Sequence, residues 1–268
     1  MHDTIVWVAR IAFAVMVISW LISWLLSRLG PRRSAKAILD TQKKLYSERH
    51  EYRTVSAHDF RDLDLAYYDE TQAWLEAQGF RHLGDVENVT LARTMPRARA
   101  FIRSMVSADG TISAGVYDVR LKSWMRLLQR LFVLPRDMRT LDLETELSDG
   151  TFVATSNNLG ADAMTPPPGL DRSLYPRETL PEELLSCHTR AVKQALASSP
   201  GVTAVAHRTL DELLEAEHRL QAMKNAHRKS IGYVDRRELA RIDGGKNPQA
   251  AQELADEIEA IKAEEDER

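Results

Sequence analysis

The chain has 268 residues, 28% of them charged, and a formal net charge of −3, enough for one well-packed domain plus extensions. No extended basic face stands out beyond one cluster near the start, so nucleic acid is not an expected partner. The single cysteine, Cys187, excludes an internal disulfide, and there is no Gly-x-Gly-x-x-Gly, Walker A, His-Glu-x-x-His, Gly-x-Ser-x-Gly or Cys-x-x-Cys pattern.

The first element is almost unbroken hydrocarbon: residues 5–29 read IVWVARIAFAVMVISWLISWLLSRL. At about 1.5 Å per residue, roughly 25 helical residues exceed the ~30 Å apolar core of a bilayer. Residues 1–30 are therefore expected to form a single transmembrane anchor. A cleaved signal peptide would need a basic start and a small-x-small cleavage site, and neither stands here. Arg10 lies near one end, where its stem can carry the guanidinium to the headgroups, and Trp7 and Trp24 fall near the interfaces. Arg28, Arg32, Arg33 and Lys36 follow the apolar run, whereas only Arg10, opposed by Asp3, precedes most of it. Basic flanks stay on the cytoplasmic side, which predicts a single-pass protein of a cell membrane with its N-terminus outside and the rest cytoplasmic. The same four cations are the expected contacts for anionic lipid headgroups.

Gly30-Pro31 breaks the membrane helix, and residues 31–56 read as a basic juxtamembrane stalk, helical over 34–53. An α+β domain is expected over 57–207. Ser56 with Asp59 three residues on is a helix-start signal, followed by Phe60, Leu63, Tyr67 and Trp74 and stopped by Gly79. From Phe80 the period changes to two, predicting strands over 80–91, 99–106, 111–119, 140–147 and 151–156. Asp109-Gly110 and Asp149-Gly150 predict two hairpins. In the fourth strand Leu141, Leu143, Thr145 and Leu147 share one side, and Asp142, Glu144 and Glu146 the other.

Residues 122–139 interrupt this series. Trp124, Leu127, Leu128, Leu131 and Phe132 fall on one helical arc, with Arg126, Gln129 and Arg130 opposite. Such a segment either covers the sheet or lies in the plane of the bilayer; in the second case Trp124, Arg126, Leu128, Arg130 and Leu131 touch lipid. Pro166-Pro167-Pro168 marks a stiff connection. Thr179 with Glu182 predicts a helix running to about 199, stopped by Pro200-Gly201, and 202–207 reads as one more short strand. Residues 208–268 are expected to be a helical extension. Thr209 with Glu212 caps a helix whose apolar side carries Leu210, Leu213, Leu214, Leu220 and Met223; Gly244-Gly245 is a hinge, and Pro248 opens an acidic helix. The predicted fold is α+β: an N-terminal transmembrane helix, one antiparallel sheet with packed helices, and a helical C-terminal extension.

His188 is the titratable residue that stands out, set in the apolar stripe of Leu184, Leu185, Ala191, Val192, Ala195 and Leu196. It reads either as a core histidine hydrogen-bonded to the sheet or as a catalytic group partnered by Asp149 or Asn157. His58 and Asp62 stand one helical turn apart, as two metal ligands can, but acidic residues are common in a first turn, and neither metal nor cofactor is expected. Gly232-Tyr233-Val234-Asp235-Arg236-Arg237-Glu238-Leu239 resembles the second half of an EF-hand loop, with glycine, an aliphatic residue and glutamate at that family's spacing. Over the first half, His227, Lys229 and Ile231 stand where that family supplies oxygen ligands, so the resemblance implies no calcium.

The functional expectation is a membrane-anchored cytoplasmic protein-binding or scaffold module whose helical extensions recruit a protein partner. Two alternatives remain open: a membrane-surface hydrolase or transferase with a site near His188, and a small-ligand sensor with a pocket between sheet and helices.

Overall fold

The computed structural model describes residues 30–267 except 97, 122–138, 159–163 and 244–246. The predicted span at 5–29 and nearly all of the amphipathic segment at 122–139 lie outside the described residues. Among the described residues no helix is long and apolar enough to cross a membrane.

The chain is α+β, and its described residues divide into two compact units, one within 44–231 and the other formed by 30–43 with 232–267. The larger unit is built on a seven-stranded sheet in the order β1 (Tyr52–Thr54), β2 (Arg81–Asn88), β4 (Ile102–Val106), β5 (Ser113–Asp118), β7 (Arg139–Glu146), β8 (Phe152–Ser156), β9 (Leu170–Leu174). Two short strands, β3 (Ala98–Arg99) and β6 (Arg120–Leu121), pair separately. Both expected hairpins form, β4–β5 and β7–β8, with Gly110 at φ +82° and Gly150 at φ +83° in their turns. Glycine takes that left-handed conformation without a Cβ clash.

The sheet is not wholly antiparallel: β9, which the sequence reading missed, runs parallel to β8. A parallel neighbour cannot follow through a tight turn, and here the connection passes through Pro166-Pro167-Pro168. Residues 202–207 contribute only an isolated bridge, Leu147 to Ala204. Their amides and carbonyls serve the hairpin ends instead, with Val205 N donating to Glu146 O and His207 N to Gly110 O, both at 2.9 Å.

Helix starts also differ from expectation where a better-placed cap competes. The Ser56 hydroxyl accepts from His58 N and closes only a short 3-10 turn, Ala57–Phe60. The long helix α2 (Leu65–Ala77) begins at Asp64, whose side chain accepts from Tyr67 N. Strand β2 stops at Asn88 because that side chain accepts from Leu91 N and opens α3 (Val89–Thr94). Helix α4 (Pro181–Ser198) has Leu180 as its cap with no side-chain bond; proline in the first turn removes one of the amides needing a partner. The capping box of Thr209 and Glu212 does form, at the head of α5 (Leu210–Ser230).

Strand alternation gives the sheet two covered faces. On one, α2 and α4 bury Tyr68, Leu75, Phe101, Met105, Val116, Leu141, Leu143 and Leu184. Tyr68 stacks on Phe101 with ring centroids 4.2 Å apart, and its hydroxyl donates to Phe101 O at 2.9 Å while accepting from Asp118 N at 2.7 Å. The other face receives α5, which packs Leu220 and Met223 on Phe152 and Leu170.

In the smaller unit α1 (Pro31–Tyr46) buries Ala35 and Leu39, one helical turn apart, against Val234, Leu239, Ala255, Ile258 and Ile261. The partners come from α6 (Arg236–Asp243), α7 (Pro248–Asp266) and the turn before them. Arg32 meets both Glu264 oxygens at 2.6 and 2.7 Å, and Lys43 pairs with Glu265. The expected 31–56 stalk and 208–268 extension are thus each split: α5 lies in the sheet unit, and residues 30–43 share a unit with 232–267.

Candidate functional site

Between the α5 face of the sheet and the helices α3 and α5 lies a cavity of about 330 Å³. Period two along β7 points Asp142 and Glu144 into it, while Leu141, Leu143 and Thr145 go to the opposite core. Tyr117 enters from β5, Ile102 and Ser104 from β4, and Tyr52 and Asn88 from β1 and β2. Successive turns of α5 supply Leu213, Leu214, Glu217, Gln221 and Lys224. Leu91 and Ala92 of α3, with Met95 just beyond it, add an apolar wall, and Met95 keeps 41% of its surface exposed.

The polar groups are densely coupled. Tyr117 donates its hydroxyl to Asp142 Oδ2 at 2.8 Å, whereas Asp142 Oδ1 is buried without a partner at hydrogen-bond geometry among the described residues. Burial pushes the Asp142 carboxyl up to about 6; the neighbouring Glu144 adds to this, and the hydroxyls of Ser156 and Tyr117 and the Lys224 ammonium offset part of it. Glu144 is held well above the usual carboxylate range by burial and then by the charge of Glu217, which lies within hydrogen-bonding reach. Tyr52 and Tyr117 are both pushed up, first by burial and then by the adjacent carboxylates, so they remain neutral hydroxyls.

His50 has a fixed tautomer. Its Nε2 lies 2.9 Å from Leu45 O, which can only accept. Asn88 Oδ1 is occupied by Leu91 N at 2.9 Å, so the Asn88 amide donates to His50 Nδ1 at 3.0 Å. One nitrogen donates and the other accepts, and the ring is neutral.

His188 sits elsewhere, fully buried under α4 on the other sheet face, with Nε2 3.0 Å from Thr145 Oγ1 and Nδ1 3.0 Å from Thr155 Oγ1. Burial lowers its pKa to about 4. Neither the carboxylate nor the amide considered for it bonds it: Asp149 accepts from Thr151 N and Oγ1 in its turn, and Asn157 bonds Leu141 N and Arg177 O. Asp62 pairs with Arg99 at 2.7 Å, and among the described residues no group of three or more His, Cys, Asp or Glu side chains is placed to hold a metal. Of the expected lipid contacts, Arg32 pairs with Glu264 and Lys36 with Asp40 at 3.3 Å, and Arg33 is exposed. Arg28, Trp124, Arg126, Leu128, Arg130 and Leu131 lie outside the described residues.

Sequence reasoning missed Tyr117, Glu217 and Lys224 as site residues and placed Asp142 and Glu144 only on a polar strand face. The available signal was on α5, where Glu217, Gln221 and Lys224 continue the line of Leu213 and Leu214 at steps of three and four. No protein-family model, curated protein or solved structure matches this chain.

Proposed function

We propose that the chain is a membrane-anchored small-ligand-binding protein, the sensor among the readings set out above. Residues 5–29 hold it in a bilayer, the basic flank from Arg28 to Lys36 keeps the sheet unit on the cytoplasmic side, and the cavity between sheet and α5 takes the ligand. The observation that carries this reading is the cavity itself: its volume suits a small organic molecule, and it joins an apolar wall to a few convergent polar groups.

Two features favour it over the alternatives. His188 has both ring nitrogens engaged by threonines and faces away from the cavity, so support for an enzyme built on that residue is slight. The apolar stripe of α7 is buried within its own unit, which lessens the support for a scaffold that offers that stripe to a protein partner.

The test is a thermal-shift screen of the full-length protein in detergent against a soluble library of amines, alcohols, acids and heterocycles. At least one class is expected to raise the unfolding midpoint of the wild type and to leave Leu214→Trp, which fills the cavity, unmoved. No stabilising class, or equal shifts in wild type and variant, would overturn the proposal.

A further inference from the structure

We propose that the cavity selects an organic amine with a compact apolar body, its ammonium among Asp142, Glu144 and Glu217 and its body against Leu91, Ile102 and Leu214. This rests on the cavity being a ligand site and names the class of ligand.

The argument is one of charge. The carboxyls come from β7 and α5, and the only cation lining the cavity among the described residues is Lys224. His50 is neutral by its hydrogen bonds, and Tyr52 and Tyr117 stay protonated. Three carboxyls facing one ammonium leave the lining of the cavity with an excess of acidic groups. A charge in a half-buried site is costly unless paired. An anionic ligand would add to that charge, and a neutral one would leave it in place.

Geometry separates an organic cation from a metal ion. The carboxyls do not converge as a metal cage does. Tyr117 donates to one oxygen of Asp142, and the buried Oδ1, with the Ser156 hydroxyl nearby, has no partner at hydrogen-bond geometry among the described residues, so an N–H of an ammonium can bond it. Leu91, Ala92, Ile102, Leu213 and Leu214 offer surface to carbon rather than to the water shell of a bare ion.

The probe set is benzylamine, benzyl alcohol and benzoate, nearly equal in size and differing in charge, titrated by calorimetry into the full-length protein in detergent. Benzylamine is expected to bind, with the alcohol and the acid about tenfold weaker or worse. Asp142→Asn and Glu144→Gln should each weaken benzylamine by about tenfold and leave the alcohol unchanged. The amine assignment is overturned if benzoate binds as well as benzylamine, if both variants keep wild-type affinity, or if benzylamine fails to bind. Should the alcohol or the acid bind and Leu214→Trp abolish it, the cavity stands as a ligand site and only the amine class falls.

Discussion

Arg219 clasps Glu146 with both arms of its guanidinium, Nε to Oε1 at 2.6 Å and Nη2 to Oε2 at 2.7 Å. The carboxylate is buried at the end of β7, with His207 Nε2 3.1 Å away, while half of the arginine side chain remains in solvent. This pair fastens α5 to the strand that carries Asp142 and Glu144. Truncation by Arg219→Ala strands a buried acceptor, and a loss of about 1–3 kcal/mol is expected in urea denaturation. Benzylamine binding should weaken as well, because the wall bearing Glu217 is no longer fixed. A variant as stable as the wild type would show that α5 is held by apolar packing alone.

Acid should act on the two faces of the sheet in opposite senses. His188 has its pKa lowered from 6.5 to about 4, so the stability it contributes is complete above 6.5 and is lost as pH falls through 4. Asp142 has its pKa raised from 3.8 to about 6, so what it contributes is complete below 3.8 and gone above 6. Asp142→Asn is therefore expected to raise stability at neutral pH by about 1–3 kcal/mol while weakening the amine. His188→Gln should flatten the loss of stability between pH 6.5 and 4. Thermal melts of both variants across this range test the signs; a wild-type slope retained by His188→Gln would place the acid sensitivity elsewhere.

The two hairpin glycines share a conformation and differ in surroundings. A Cβ on Gly150 meets nothing within 4 Å, whereas one on Gly110 would lie 2.9 Å from His207 O. Gly150→Ala should cost about 1–2 kcal/mol from backbone strain alone. Gly110→Ala should cost more, since it also displaces the segment that follows the Pro200-Gly201 stop. Equal midpoints for the two variants in denaturant would refute the distinction.

A reporter fused after Arg268 should be cytoplasmic if the basic flank sets orientation. Neutralising Arg28, Arg33 and Lys36 together should yield mixed orientations. Arg32 is left intact in that experiment because its bond to Glu264 also supports the helical unit. External reporter activity in the unaltered protein would reverse the proposed topology.

Local chemistry made much of the fold legible. Asp109-Gly110 and Asp149-Gly150 marked turns that only a residue at positive φ can complete, and Thr209 with Glu212 marked the start of α5. Alternation along β7 separated Leu141 and Leu143 from Asp142 and Glu144. What alternation cannot say is what covers each face, and a row of carboxylates reads as solvated until a second element is laid over it. Glu217, Gln221 and Lys224 are equally ordinary on an isolated helix. Only the long-range docking of α5 on β7, fixed by Arg219 and Glu146, turns two polar surfaces into one cavity. Strand β9 escaped notice for a related reason: Leu170–Leu174 carries Asp171 and Arg172 in succession and earns its place by pairing with β8.

Asn88 gives the cavity a chemical vulnerability of its own. The same amide caps α3 through Oδ1 and withholds a second proton from His50 through Nδ2. Deamidation, which exchanges that NH₂ for an oxygen, would keep the cap and replace a donor with an anion. The donor from which His50 Nδ1 now accepts would be gone, and a new negative charge would stand in the cavity lining. A change of one atom in one side chain, with the backbone untouched, would thus reset the ionic inventory that a cationic guest meets on entry.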